Sequence, residues 1–184
     1  MRFIIIKDGL TNFDTTKDII KSLVGNNIKA VNKGSNSIFY HNYDNDEEIR
    51  TILGALETEL MVNMYAYISA DLEDDRVENE ISIAIKLLDH LPHGIYNFKE
   101  ALLNADKITN SEEILEYILR YTGVNEEFIK DFADCDLNVS RASKKMNFHR
   151  NTTIYKLDKL SEISGFDLRC FKDAYILYML VNSK

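Results

Sequence analysis

Between Asn138 and Gly165 the chain reads NVSRASKKMNFHRNTTIYKLDKLSEISG, two helix-length patterns separated only by Asn147 and Phe148. A junction that short forces the two helices to cross closely instead of lying apart. Asn138 opens the first one, because its side-chain oxygen can accept from N–H groups that a helix start leaves unpaired. Val139, Ala142, Ser143 and Met146 recur at spacings of three and four and give one face to bury, with Arg141, Lys144 and Lys145 on the wet side. Ala142 also lacks the bulk that would hold a second helix away. Phe148 is expected as an apolar plug at the junction. A second pattern follows through Thr153, Leu157, Leu160 and Ile163 until Gly165 offers a C-cap. His149, Arg150, Asn151, Thr152 and Lys156 are thereby predicted to point outward from the first two turns.

In a helix-turn-helix the second helix enters the DNA major groove, and its N-terminal residues meet base edges. Arg150 is the best candidate base reader, since a guanidinium can bridge the O6 and N7 acceptors of guanine. His149, Asn151 and Thr152 suit bases or phosphates, and the partial positive charge of a helix start favours a phosphate there. Lys144, Lys145, Lys156 and Lys159 read as phosphate contacts, which orient without specifying. Adding the outward Arg141, the candidate DNA-binding set is Arg141, Lys144, Lys145, His149, Arg150, Asn151, Thr152 and Lys156. On spacing alone, an ordinary α-hairpin with a solvated basic face fits equally well.

The wording of the string goes further. From about Phe128 to Val181 it resembles the C-terminal helix-turn-helix of the CdaR/PucR-type regulators, and more distantly the DNA-binding half of the nucleoid protein Fis. The resemblance rests on an opening helix (EEFIKDFADC), Asn138, the HRNT run from His149 to Thr152, Tyr155-Lys156-Leu157, SGFDL, and the closing DAYILYMLV. Thr153 departs from it, standing where an apolar leucine is usual, as do Ile154 and Asp158 where basic residues are frequent. The resemblance implies a transcription regulator bound to double-stranded DNA through the helix starting at His149; a homodimer is expected because helix-turn-helix proteins commonly pair two recognition helices on successive major grooves. A protein-interaction adaptor with a helix-turn-helix that no longer binds DNA is the alternative that Thr153, Ile154, Asp158 and the acidic first half motivate.

Charge is unevenly placed. The 184 residues carry a net −8. Residues 138 to 184 hold nine Lys or Arg against four Asp or Glu, whereas residues 1 to 137 hold 13 against 26. An acidic first part restrains non-specific adhesion to nucleic acid, and serves solubility equally well. The apolar share of 45% is enough for a real core in one medium domain or two small ones. Apolar runs such as Phe3–Ile6 are far shorter than a membrane span, and no cationic leader opens the chain, so a cytoplasmic location is expected. Cys135 and Cys170 are expected as buried small apolar residues, and His41, His90, His93 and His149 show no zinc-ligand spacing with them.

The first part alternates strand and helix. RFIIIK at Arg2 to Lys7 has the size of a buried strand, and Thr15 to Val24 has helical spacing ending at Gly25. IKAVN and SIFYHNY follow as strands divided by Lys33-Gly34-Ser35-Asn36, a hairpin turn in which Gly34 and Asn36 can take positive φ. Asp46 to Met61 is a second amphipathic helix, VNMYAYISA a further strand, Arg76 to His90 a helix, and GIYNFKEALL a short strand or turn into a helix. The order βαββαβ predicts a ferredoxin-like sandwich, an antiparallel sheet covered on one face by helices. The whole chain is thus α+β, with a sandwich at 1–106, a helical connector at 107–127 that buries Ile114, Leu115, Ile118 and Leu119, and an all-α helix-turn-helix domain at 128–184.

Ahead of such a helix-turn-helix, this order resembles the degenerate GGDEF-like domain of CdaR/PucR-type regulators. Active cyclases of that fold place metal-binding acids in the middle hairpin. Here the hairpin reads NKGSNS without a carboxylate, so the two-metal arrangement for phosphoryl transfer is not expected and Asp8 is left as a lone acid after the first strand. Phosphate-loop, GxSxG and HExxH patterns are missing too. The acid runs at Asp44–Glu48 and Asp71–Asp75 lack calcium-loop spacing and read as a helix start and a solvated loop. No enzyme activity, cofactor or metal is expected.

Overall fold

The computed structural model describes residues 1–7 and 13–183, so Asp8 lies outside the described residues. The chain forms two compact units, Met1–Thr109 and Asn110–Lys184.

The first unit is a five-stranded sheet with helices on both faces. Its elements run β1 (Arg2–Lys7), α1 (Phe13–Val24), β2 (Lys29–Lys33), β3 (Asn36–His41), α2 (Asp46–Leu60), β4 (Tyr65–Ile68), α3 (Asp74–Leu88), β5 (Gly94–Tyr96) and α4 (Phe98–Asn104). The strand order is β2-β3-β1-β4-β5. The first four strands pair antiparallel in the arrangement expected of βαββαβ. β5 then joins β4 in parallel, which requires the crossover that α3 supplies. The β2–β3 hairpin closes on Gly34-Ser35 with Gly34 at φ 63°; Asn36, also expected as a possible left-handed residue, lies in β3.

One expectation is corrected. The sheet is not bare on one face. Phe3, Ile4, Ile5 and Ile6 are all at most 1% exposed, so both sides of β1 are covered. Ile4, Ile6, Phe39, Ala66 and Ile68 pack with Ile20 of α1 and with Ile49 and Leu53 of α2. Phe3 stacks on Tyr67 at 5.8 Å on the opposite face, where α3 packs against β1 and β4. The physical reason lies in the run FIII, which puts apolar side chains on both parities of the strand. Leaving Phe3 and Ile5 in water would forfeit roughly 1.5–3 kcal/mol each.

Asn45 caps α2 by accepting from Glu48 N at 3.1 Å, and Asp46, Glu47 and Glu48 fill the first turn. The acid run at Asp44–Glu48 is therefore a helix start, with Arg2 bridging Asp44 and Asp46. Arg50 reaches the edge strand, donating to Ile95 O at 2.5 Å and to Glu100 at 2.8 Å; Glu100 also closes the capping box of α4 with Asn97. Among the described residues no group of three or more His, Cys, Asp or Glu is arranged to hold a metal, and no helix is long and apolar enough to cross a membrane.

The second unit contains α5 (Ser111–Leu119), α6 (Glu126–Asp134), α7 (Val139–Lys145), α8 (Arg150–Ser164) and α9 (Phe171–Asn182). The segment read as a connector supplies α5, which packs within this unit against α9 and α8. Ile114, Leu115, Tyr117 and Ile118 are buried there, while Leu119 is only half-buried. Cys135 is buried as expected; Cys170 is exposed, because it is the residue preceding the first turn of α9.

His41 sits opposite Arg2 in the register of β1 and β3, with Nδ1 accepting from Tyr43 N at 3.2 Å and a buried Nε2 that has no partner among the described residues. Burial, reinforced by the Arg2 charge, lowers its pKa to about 4. The folded state then resists protonation that the unfolded chain accepts, so stability falls as pH drops from about 6.5 towards 4. Each pH unit crossed in this window costs at most about 1.4 kcal/mol. We expect urea titrations across this window to show the loss in the wild type and a flatter profile for His41→Leu.

Candidate nucleic-acid interface

The α7–α8 crossing is built by caps. Asn138 accepts from Ser140 N at 3.0 Å and Arg141 N at 3.1 Å, which starts α7 where the sequence predicts. The helix ends in a Schellman motif: Phe148 N donates to Ser143 O at 2.9 Å, and Asn147 N to Lys144 O at 3.3 Å. Asn147 takes the left-handed conformation this motif needs, at φ 55°. His149 then caps α8, its Nδ1 accepting from Asn151 N at 3.3 Å, so the helix begins at Arg150, one residue later than expected. Gly165 ends it at φ 74°.

Ala142 is fully buried at the crossing, as are Thr153, Leu157 and Leu160 on α8. The polar Thr153 has a matching partner: its hydroxyl lies 2.8 Å from that of Ser143, which is 2.6 Å from the Val139 carbonyl. With one proton each, Ser143 donates to Val139 and accepts from Thr153, so both buried hydroxyls are satisfied. The departure at Thr153 is thus offset within the same contact. That at Asp158 is matched by a surface ion pair, 2.8 Å from Arg169, which also holds Asp167 at 2.8 Å.

The eight candidate residues divide into two groups. Arg150, Asn151 and Thr152 are exposed on the first turn of α8, with His149 just before them and Lys144 exposed on α7. No ion pair engages Arg150 or Lys144 among the described residues. The other three are held from within. Arg141 pairs with Asp136, and Lys145 with Asp131 at 2.9 Å and Asp134 at 2.8 Å. Lys156 is folded back, donating to Gly123 O at 2.5 Å with its ammonium about 6 Å from the Phe128 and Phe148 rings. Phe148 is 39% exposed and rims a groove with Lys156, instead of plugging the junction.

Tyr155, outside the candidate set, is 64% exposed. It lies four residues after Asn151 and three after Thr152, so helical spacing alone places it on their face. Asp131 and Asp134, the acids of α6 that engage Lys145, left no local signal, because these contacts join separate helices, whereas the partner of Arg141, Asp136, sits in the turn five residues before it.

Residues 127–182 match the family described as the PucR C-terminal helix-turn-helix domain. The Bacillus subtilis protein YxkF is 38% identical over 52 residues, which is 28% of this chain and 18% of that protein. The DNA-binding transcriptional activator AdeR of the same organism is 36% identical over 53 residues, 29% of this chain and 13% of its own length. The chain thus spans under a fifth of these relatives. The crystal structure of a regulator of polyketide synthase expression from Bifidobacterium adolescentis aligns over 98% of this chain and 78% of its own, with a TM-score of 0.48 and 15% identity.

The hydroxyl pair gives a test of the crossing. Ser143→Ala should destabilise by about 1–3 kcal/mol, because Thr153 then keeps a buried hydroxyl without its partner. Adding Thr153→Val should recover most of that loss. Urea unfolding of the two single variants and the double variant measures the coupling, and additive losses would exclude the pairing.

Proposed function

We propose, from the premise that residues 127–182 form a PucR-type helix-turn-helix domain, that the chain is a DNA-binding transcription regulator whose α8 reads the major groove. The observation that carries this reading is the exposed first turn of α8, where Arg150, Asn151 and Thr152 stand free of ion pairs at the positive end of a capped helix. Arg150 suits guanine O6 and N7, and Asn151 suits the N6 and N7 edge of adenine. Lys144, outward on α7, supplies a phosphate contact that fixes register.

The chain acts as a homodimer in this reading, since paired recognition helices reach successive major grooves where one module alone binds weakly. The sheet unit serves as a non-catalytic, GGDEF-like partner: its β2–β3 hairpin turns on Gly34-Ser35 and carries no carboxylate for a metal. A cytoplasmic location accords with such a role. The internal pairing of Arg141, Lys145 and Asp158 favours a second reading, a protein-interaction adaptor that has lost DNA affinity.

Salt separates the two readings. A regulator's log affinity for duplex DNA falls linearly with log salt, by about 0.9 per phosphate contacted, whereas an adaptor shows no such dependence. Sites selected from random duplexes should lose roughly 1–3 kcal/mol of affinity with Arg150→Ala, together with preference at one base pair. Unchanged affinity and preference, measured by fluorescence anisotropy at fixed salt, would remove the major-groove assignment.

A further inference from the structure

Three helices meet around the α7–α8 turn, and charge is shared between them unequally. α6 and its end carry Asp131, Asp134 and Asp136 facing α7, whose outward bases are Arg141, Lys144 and Lys145. Lys145 is the most heavily engaged, with two carboxylates within 2.9 Å of one ammonium. Both carboxylates hold its pKa well above the ordinary lysine range, through hydrogen bonds first and charge second. Lys145, Asp131, Asn147, Phe148 and Lys156 border one groove, which lies immediately beside the start of α8.

Two carboxylates about 3 Å from an ammonium occupy the positions that oxygens of a phosphate would take. We propose that Asp131 and Asp134 act as an internal phosphate mimic that occupies Lys145 in the free protein, so that a DNA backbone strand must displace them to gain this contact. The inference rests on the DNA-binding reading of α8 and adds a residue pair that sets its affinity. Each of these exposed pairs is weak alone, but two carboxylates act on one ammonium, so a single phosphate of arbitrary duplex leaves Lys145 with its acids. Lys144, the neighbouring base without an ion pair, makes its contact without such a cost. Affinity for arbitrary duplex is thereby held down, and the exposed first turn of α8 contributes a larger share of the total.

The test compares the full chain with Asp131→Asn/Asp134→Asn on a mixed-sequence duplex over a series of salt concentrations. Releasing one cation should steepen the salt slope by about 0.9 and tighten binding roughly eightfold at 0.1 M salt. In the neutralised background, Lys145→Ala should return both values to those of the wild type; in the wild-type background the same substitution should change them little. An identical gain from Glu113→Gln/Glu116→Gln on α5 would mean that only general repulsion had been relieved, and would overturn the proposal. Wild-type binding that the Asp131/Asp134 substitutions leave unchanged also overturns it, and leaves the α8 reading intact. Failure of every variant to bind duplex at low salt defeats both. Circular dichroism of each variant establishes that the helices are retained.

Discussion

The placement of α8 depends on how α7 ends. A helix leaves its last carbonyls unpaired, and here Ser143 O and Lys144 O are recovered by Phe148 N and Asn147 N. The chain can make that return only with a residue in the left-handed region, which asparagine tolerates better than most. Once Asn147 has turned, His149 is already extended and positioned to cap the next helix. Every exposed side chain at the start of α8 inherits its direction from this one reversal.

The buried side of the crossing is equally constrained. Ala142 allows close approach, and the Ser143–Thr153 pair fixes the rotation of α8 about its own axis, because only one setting lets two buried hydroxyls meet. A leucine at position 153 would pack without specifying angle so narrowly. The same logic of recovered backbone groups operates one turn earlier. Leu137 N returns to Phe132 O and Asp136 N to Ala133 O, with both Asp136 and Leu137 left-handed, so α6 and α7 are also joined by a short closed turn. Short closed turns explain why acids on α6 stand so close to bases on α7.

Much of this was legible in the sequence, and the omissions follow a pattern. Asn138, the first-turn set on α8 and Gly165 are local features, decided by capping and by spacing within one helix. The succession of strands and helices in the sheet unit followed from periodicity in the same way, whereas the parallel addition of β5 to β4 did not. What periodicity did not disclose was the second covered face of the sheet, although the unbroken run from Phe3 to Ile6 carried the clue. Nor did it disclose the inward turn of Lys156 or the ion pairs of Lys145, whose partners lie on other parts of the chain, or that of Arg141 with Asp136 in the preceding turn. A basic residue on the wet side of a helix is outward by geometry, and its availability is settled by whatever acid the fold brings alongside.

The hydroxyl pair and the turn between its members carry a consequence for how such a chain can vary. Adding or deleting one residue between Ser143 and Thr153 would rotate the surface of α8 by about 100°. Thr153 and Leu157 would then face solvent, and the first-turn polar side chains would be driven towards Ala142. Over this interval the chain can accept many changes of letter and very few of length, so gaps in any set of homologous sequences should fall outside it.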